Sequence, residues 1–163
     1  MSGEDEFYVE TTQQIEKPDA SKGVYLGVAV LLSILPVFLF YTVYKLDDIA
    51  LEYLVVTAIS TGLLSIAYRK VQNRERDRIW RLRKQENPNH KKYNMTKAEF
   101  ESAQYQITSD EALYFSIFRN NLVYVVFFLF FAFYAFKDIN PEFCYAVSVG
   151  ASSVLVWKFS EWV

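Results

Sequence analysis

The stretch VYLGVAVLLSILPVFLFYTVY, residues 24–44, decides the fold class, because it runs for 21 residues without a charge. At about 1.5 Å per helical residue it reaches across the roughly 30 Å of a bilayer's hydrocarbon core. Pro36 lies inside the run. In a membrane helix a proline bends the rod more often than it breaks it, since neighbouring groups satisfy the freed carbonyl. Three more apolar blocks follow: 49–68, with Glu52 near one end; 120–136, mostly Phe, Val and Leu; and 143–157, only 15 residues long before Lys158. A soluble domain can bury one such block but hardly four. The expected fold is an all-α membrane protein with four transmembrane helices. The short fourth block is accommodated by snorkelling of Lys158 and a thinner bilayer, with a re-entrant or interfacial helix as the competing reading.

The connections organise these blocks. Residues 45–48 and 137–142 are tight turns, so spans one and two form one hairpin and spans three and four another. This predicts an acidic N-terminal tail over 1–22, a first transmembrane hairpin over 23–68, a polar helical hairpin over 69–118 and a second transmembrane hairpin over 119–163. Residues 1–19 carry six carboxylates against Lys17, a net charge of −5. A secretory signal needs a basic region just before its apolar core, so the first block is read as a retained span rather than a cleaved leader.

Between residues 69 and 97 there are eleven Lys or Arg and three acids, a net charge of +8. Loops rich in Lys and Arg stay on the cytosolic side, and an even number of spans then puts both termini there too. The one glycosylation sequon, Asn94-Met95-Thr96, lies in this cytosolic segment and is expected to carry no glycan. Residues 69–85 read as a helical continuation of span two, ended by Asn87-Pro88-Asn89. Val71, Ile79 and Leu82 fall near one face with Tyr68, and Arg74, Arg78 and Arg81 share another. A second helix is expected at Thr96, where Thr96 and Glu99 make a capping-box pattern; Thr108 and Glu111 repeat it before span three. The picture is two helices with their apolar faces together and their arginines outward. Such a basic face fits anionic lipid, structured RNA with Trp80 and Tyr93 available for stacking, or an acidic protein surface; charge alone does not separate these.

Chemistry is poorly provided for. Cys144 has no second cysteine for a disulfide, and with His90 it cannot complete a zinc site, so no metal and no cofactor are expected. The span centres hold no His, Asp, Lys or Arg, the usual marks of proton relays and ion paths. No phosphate-binding glycine loop or nucleophile-elbow motif occurs, so no catalytic residue is assigned and the chain is not read as an enzyme. Small-xxx-small pairs (Gly23/Gly27, Ala58/Gly62, Ala146/Gly150 and Ser148/Ser152) suit close helix packing, with Gly62, Gly150 and Ser152 as the candidates. The rival reading is a small four-span channel or carrier with a lipid-contacting basic loop. It requires intramembrane charge or matching broken helices, and the sequence has neither.

Several segments resemble one family. These are Phe115-Ser116-Ile117-Phe118-Arg119-Asn120-Asn121 before the third span, Lys137-Asp138-Ile139-Asn140-Pro141 in the turn after it, and Ser148 with Ala151-Ser152-Ser153 in the fourth. Ser33 and Pro36 in the first span, and Ser60-Thr61 with Ala67-Tyr68 in the second, fit as well. Together with the order of two spans, a basic cytosolic hairpin and two spans, they resemble the gamma subunits of the translocon-associated protein complex, also called signal sequence receptor gamma subunits. The likeness covers nearly the whole chain, although the basic segment matches in character more than in sequence and is shorter than expected. The resemblance implies residence in the endoplasmic reticulum membrane with the other complex subunits beside the Sec61 translocon. It also implies that the hairpin binds the large ribosomal subunit at RNA and protein while chains are translocated or inserted. On that reading the contacts are Arg74, Arg76, Arg78, Arg81, Arg83, Lys84, Lys91 and Lys92.

Overall fold

The computed structural model describes residues 20–44, 51–85 and 96–162, and all of its regular structure is helical. Helix α1 is Ala20–Tyr44, α2 is Leu51–Gln85, α3 is Lys97–Phe130 followed by a single π-helical turn Phe131–Ala135, and α4 is Pro141–Phe159. Three helical segments are long and apolar enough to cross a membrane: Gly23–Tyr44, Leu51–Gln85 and Ala98–Ala135. α1 runs through Pro36 as one helix, so the proline does not break it. The turn over 45–48 and residues 86–95 lie outside the described residues.

Length decides how α2 and α3 are used. With 35 and 34 residues they extend about 50 Å each, well beyond the roughly 30 Å hydrocarbon core. Their first and last halves differ in character accordingly: 51–68 and 120–130 are apolar, 69–85 and 97–111 polar. Most outward-facing side chains of the apolar halves are themselves apolar; Leu54 on α2 is 61% exposed and Val126 on α3 56%. A water-soluble protein would hide such residues, whereas lipid is their natural solvent.

The core is a seam of aromatic rings and small hydroxyls. Tyr145 of α4 packs edge-on against Tyr53 and Phe40, with ring centroids 4.6 and 5.3 Å apart. Its hydroxyl lies 2.8 Å from Thr57 Oγ1, and further along Ser60 Oγ lies 2.7 Å from Ser153 Oγ. Serines this small let α2 and α4 approach closely, and each hydrogen bond contributes about 0.6 kcal/mol in lipid. The segment Phe115–Asn121 docks α3 on α2: Ser116 Oγ donates to the Tyr68 carbonyl at 2.7 Å, and the Tyr68 hydroxyl donates to Asn121 Oδ1.

α4 begins where the sequence says it should. Asn140 accepts from the Glu142 amide at 3.1 Å and Pro141 occupies the first turn, where its missing N–H costs nothing. The helix continues to Phe159, 19 residues rather than 15. Its ends are fixed against α2, with Tyr145 beside Tyr53 and the Ser160 carbonyl accepting from Arg74 Nη1 at 2.9 Å. From Tyr53 to Arg74 is 21 residues of helix, about 32 Å.

One expected boundary is corrected. Thr108 and Glu111 do not start a new helix, because α3 runs unbroken from Lys97 to Phe130. The Thr108 hydroxyl donates to the Gln104 carbonyl one turn back, the bond a buried threonine makes inside a helix. Thr96 and Glu99, by contrast, form the capping box: each side chain bonds the other's backbone amide, at 3.3 and 3.0 Å. The Thr96 hydroxyl, donating to Glu99 Oε2 at 2.8 Å, and then the Thr96 amide hold the Glu99 carboxyl below the usual glutamate range.

A basic face on the α2–α3 hairpin

The polar halves of α2 and α3 run side by side in opposite directions, pairing Gln72 with Ser109, Trp80 with Tyr105 and Arg83 with Gln104. Val71 is fully buried in the contact, but Leu82 is 53% exposed, so the apolar seam ends before it.

This packing divides the cations. Arg83 points into the pair: Nη2 donates to both carboxylate oxygens of Glu111 at 2.8 Å, and Nη1 donates to Thr108 Oγ1 at 2.9 Å and Gln104 Oε1 at 3.4 Å. The picture of every arginine turned outward is therefore corrected at Arg83, which braces the two helices. Arg76 lies over the Tyr105 ring at 5.6 Å and pairs with Asp77 at 3.4 Å. Trp80 meets Tyr105 edge-on at 5.5 Å, with Lys84 5.3 Å over its ring, so the tryptophan packs the hairpin.

Arg74 is exposed, yet its guanidinium caps the end of α4 at Ser160. Beside it Lys70 pairs with Glu161 at 3.1 Å and lies 5.1 Å over Trp157. Hydrogen bonds from Lys158 and then Lys70 hold the Glu161 carboxyl below the usual glutamate range. A cation at a helix C-terminus satisfies carbonyls that have no donor of their own. The sequence carried no signal for this clamp beyond the presence of basic residues after span two.

Of the described candidate contacts, Arg78, Arg81 and Lys84 remain outward. The Arg78 side chain is 68% exposed, and its contact is with Glu75 at 3.5 Å. Arg81 is exposed and bonds the Asp77 carbonyl at 3.2 Å rather than a carboxylate, and Lys84 is exposed as well. Lys91 and Lys92 lie outside the described residues. A continuous α-helix thus presents positive charge toward water on one end and enters the apolar bundle at the other.

The profile of the family "Translocon-associated protein, gamma subunit (TRAP-gamma)" matches residues 8–161. The chain belongs to the TRAP-gamma family. A relative from Dictyostelium discoideum, the translocon-associated protein subunit gamma, is 26% identical over 138 residues, 81% of each chain. TRAP-gamma membership, with three helices able to span a bilayer, makes this a multi-pass membrane subunit of the translocon-associated complex. Among the described residues, no three or more His, Cys, Asp or Glu side chains form a group able to hold a metal.

The helix-packing candidates of this TRAP-gamma chain separate as clearly as its cations. A Cβ placed on Gly62 or Gly150 meets no heavy atom within 4 Å, so neither glycine marks a close approach inside the chain. Ser152 is fully buried and donates to the Ser148 carbonyl at 2.6 Å.

Proposed function

We propose that the chain fastens the translating ribosome to the translocon, with Arg78, Arg81 and Lys84 meeting phosphates of large-subunit RNA. The other complex subunits and Sec61 lie beside its membrane helices, and the bound ribosome is kept in register while chains are translocated or inserted. The observation that carries this reading is the outward set of exposed cations on α2, a helix unbroken from Leu51 to Gln85. Phosphates on a ribosome are fixed in space, and a rigid rod rooted in a bundle holds cations against them without reordering at each encounter. We take α4 as a fourth crossing, since it accompanies α2 for about 32 Å between Tyr53 and Arg74. Four crossings place both termini with the basic hairpin in the cytosol of the endoplasmic reticulum.

The test is ribosome co-sedimentation with microsomes carrying Arg78→Glu, Arg81→Glu and Lys84→Glu together. Arg74 is left alone because it holds Ser160, and Arg83 because it braces the hairpin. Loss of ribosomes at moderate salt with normal insertion and complex assembly is expected. The wild-type affinity should fall steeply with salt, and the slope should drop by about one for each phosphate contact removed. Ribosomes that still co-sediment with the triple variant at moderate salt refute the contact.

A further inference from the structure

The end of α4 gathers three cations from two helices around one carboxylate. Glu161 Oε1 accepts from Lys70 Nζ of α2 and Oε2 from Lys158 Nζ of α4, both at 3.1 Å, so the two ammoniums are held side by side. One turn further along α2, Arg74 Nη1 donates to the Ser160 carbonyl, a neutral acceptor. Among the described residues Glu161 is the only acid paired with these groups, so three cations less one carboxylate leave a charge of +2. Donors are in surplus as well. An ammonium has three and a guanidinium five, and these contacts occupy one on each side chain. We propose that this cluster binds the headgroup of an anionic phospholipid in the cytosolic leaflet, its phosphate resting on Lys70, Lys158 and Arg74.

Depth selects a lipid over a free phosphate. Lys158 directly follows the 15-residue apolar block of α4, and Lys70 lies two residues beyond Tyr68, where the apolar block of α2 ends. Cations just past the end of a span sit at the level of the headgroups. Aromatic rings mark the same level: the Lys70 ammonium lies 5.1 Å over Trp157, and Trp162 is 80% exposed. Such rings belong to the membrane interface, where they give a lipid's glycerol and upper acyl chain an apolar surface that inorganic phosphate does not need. Charge then selects among lipids. Phosphatidylcholine brings a trimethylammonium with its phosphate and is neutral, whereas phosphatidylserine and phosphatidylinositol bring a net negative charge to a cluster that is positive after its own acid is counted. Lysine and arginine donors to a phosphate oxygen are charge-assisted, and Glu161 keeps two of them in place before the lipid arrives. The inference rests on α4 as a crossing and is independent of the ribosome contact, since Arg78, Arg81 and Lys84 take no part in it.

The experiment uses the full chain in vesicles of equal phosphatidylserine and phosphatidylcholine, with bromine on the acyl chains of one lipid or of the other. Bromine quenches tryptophan at contact, so comparing the two mixtures reads which lipid lies against Trp157 and Trp162. Phosphatidylserine should be enriched about tenfold at the wild-type chain. Lys70→Gln with Lys158→Gln leaves the cluster neutral and should abolish the enrichment, whereas Glu161→Gln leaves it at +3 and should increase it. Both variants break the same ion pairs, so a clamp that is only structural shifts the two alike, and that result overturns the proposal. Equal quenching in the wild type overturns it as well. Arg69→Gln removes an exposed cation one residue away and outside the cluster; a fall there as large as in Lys70→Gln shows a diffuse field and no site. Inorganic phosphate, added against sodium chloride of equal ionic strength, should leave the enrichment unchanged; if it removes it, the cluster takes a free anion and the lipid assignment fails. Impermeant maleimide outside sealed microsomes should label Trp162→Cys, the native Cys144 being buried. Protection of that position refutes the crossing of α4, whereas labelling without lipid preference refutes the site alone.

Discussion

Arg83 gives the sharpest separation between a brace and a ligand, and Arg83→Lys is the perturbation that exposes it. Lysine keeps the charge but replaces a rigid fork with one ammonium on a flexible stem. It cannot span both oxygens of Glu111 and Thr108 Oγ1 together, as the guanidinium does at 2.8, 2.8 and 2.9 Å. The Glu111 side chain is 50% exposed and that of Arg83 25%, so the pair belongs to the exposed class and contributes at most about 1 kcal/mol. The charge-assisted bond to Thr108 adds a comparable amount. Thr108 still has the Gln104 carbonyl as acceptor, so no buried hydroxyl is stranded. The expected cost is about 1–2 kcal/mol in the hairpin alone, a 5–30-fold rise in local opening. Hydrogen exchange by mass spectrometry in nanodiscs reads this directly. Amides in 69–85 and 97–111 should exchange faster, while those in 51–64 and 143–157 should not. Glu111→Gln should give a similar change, and adding it to Arg83→Lys should give little more, because both remove one interaction. Unchanged exchange in Arg83→Lys, with ribosome binding lost as in Arg78→Glu, would make Arg83 a phosphate ligand and refute the brace.

Four other outcomes follow. Ser152→Leu should lower the thermal stability of the isolated chain, since overfilling a packed site typically costs about 1–3 kcal/mol; Ser152→Ala should be tolerated, losing a hydrogen bond of about 1 kcal/mol or less. Gly150→Leu, facing open space within the chain, should leave that stability unchanged and weaken co-immunoprecipitation with the other complex subunits; intact association removes Gly150 from any interface. Asn94 should carry no glycan, and protease added outside sealed microsomes should cut the hairpin; a glycan there inverts the topology. The depressed Glu161 carboxyl contributes above the ordinary glutamate range, and its contribution is lost as pH falls through its lowered value. Trp157 fluorescence, which senses Lys70 over the ring, should therefore hold steady from neutral to about pH 5 and change only in stronger acid, whereas a change near neutral pH contradicts the clamp.

The parts of this molecule legible in the sequence are those written in near neighbours. An uncharged run of 21 residues specifies α1, Thr96 with Glu99 specifies the start of α3, and Asn140-Pro141 that of α4. Each depends on groups within one helical turn or one continuous stretch. Thr108 with Glu111 shows the limit of such signals. A capping pattern begins a helix only where the chain would otherwise leave helical geometry, and no Gly or Pro interrupts 97–130 to make it do so.

Local sequence does not show a partner that is distant along the chain. Glu111 is 28 residues from Arg83 and Ser160 is 86 from Arg74. Local spacing puts Arg74 on the same helical face as Arg78 and Arg81, and it does lie there, but one turn nearer the membrane, where α4 happens to end. Position along the bundle axis, not helical phase, is what gives that arginine the end of a short helix to cap. Helical phase can be read from one sequence; the height at which another helix stops depends on packing between segments. The same reasoning explains why the outward set shrinks to Arg78, Arg81 and Lys84. They lie beyond the last carbonyl of α4, on the stretch of α2 where these side chains stay exposed to water.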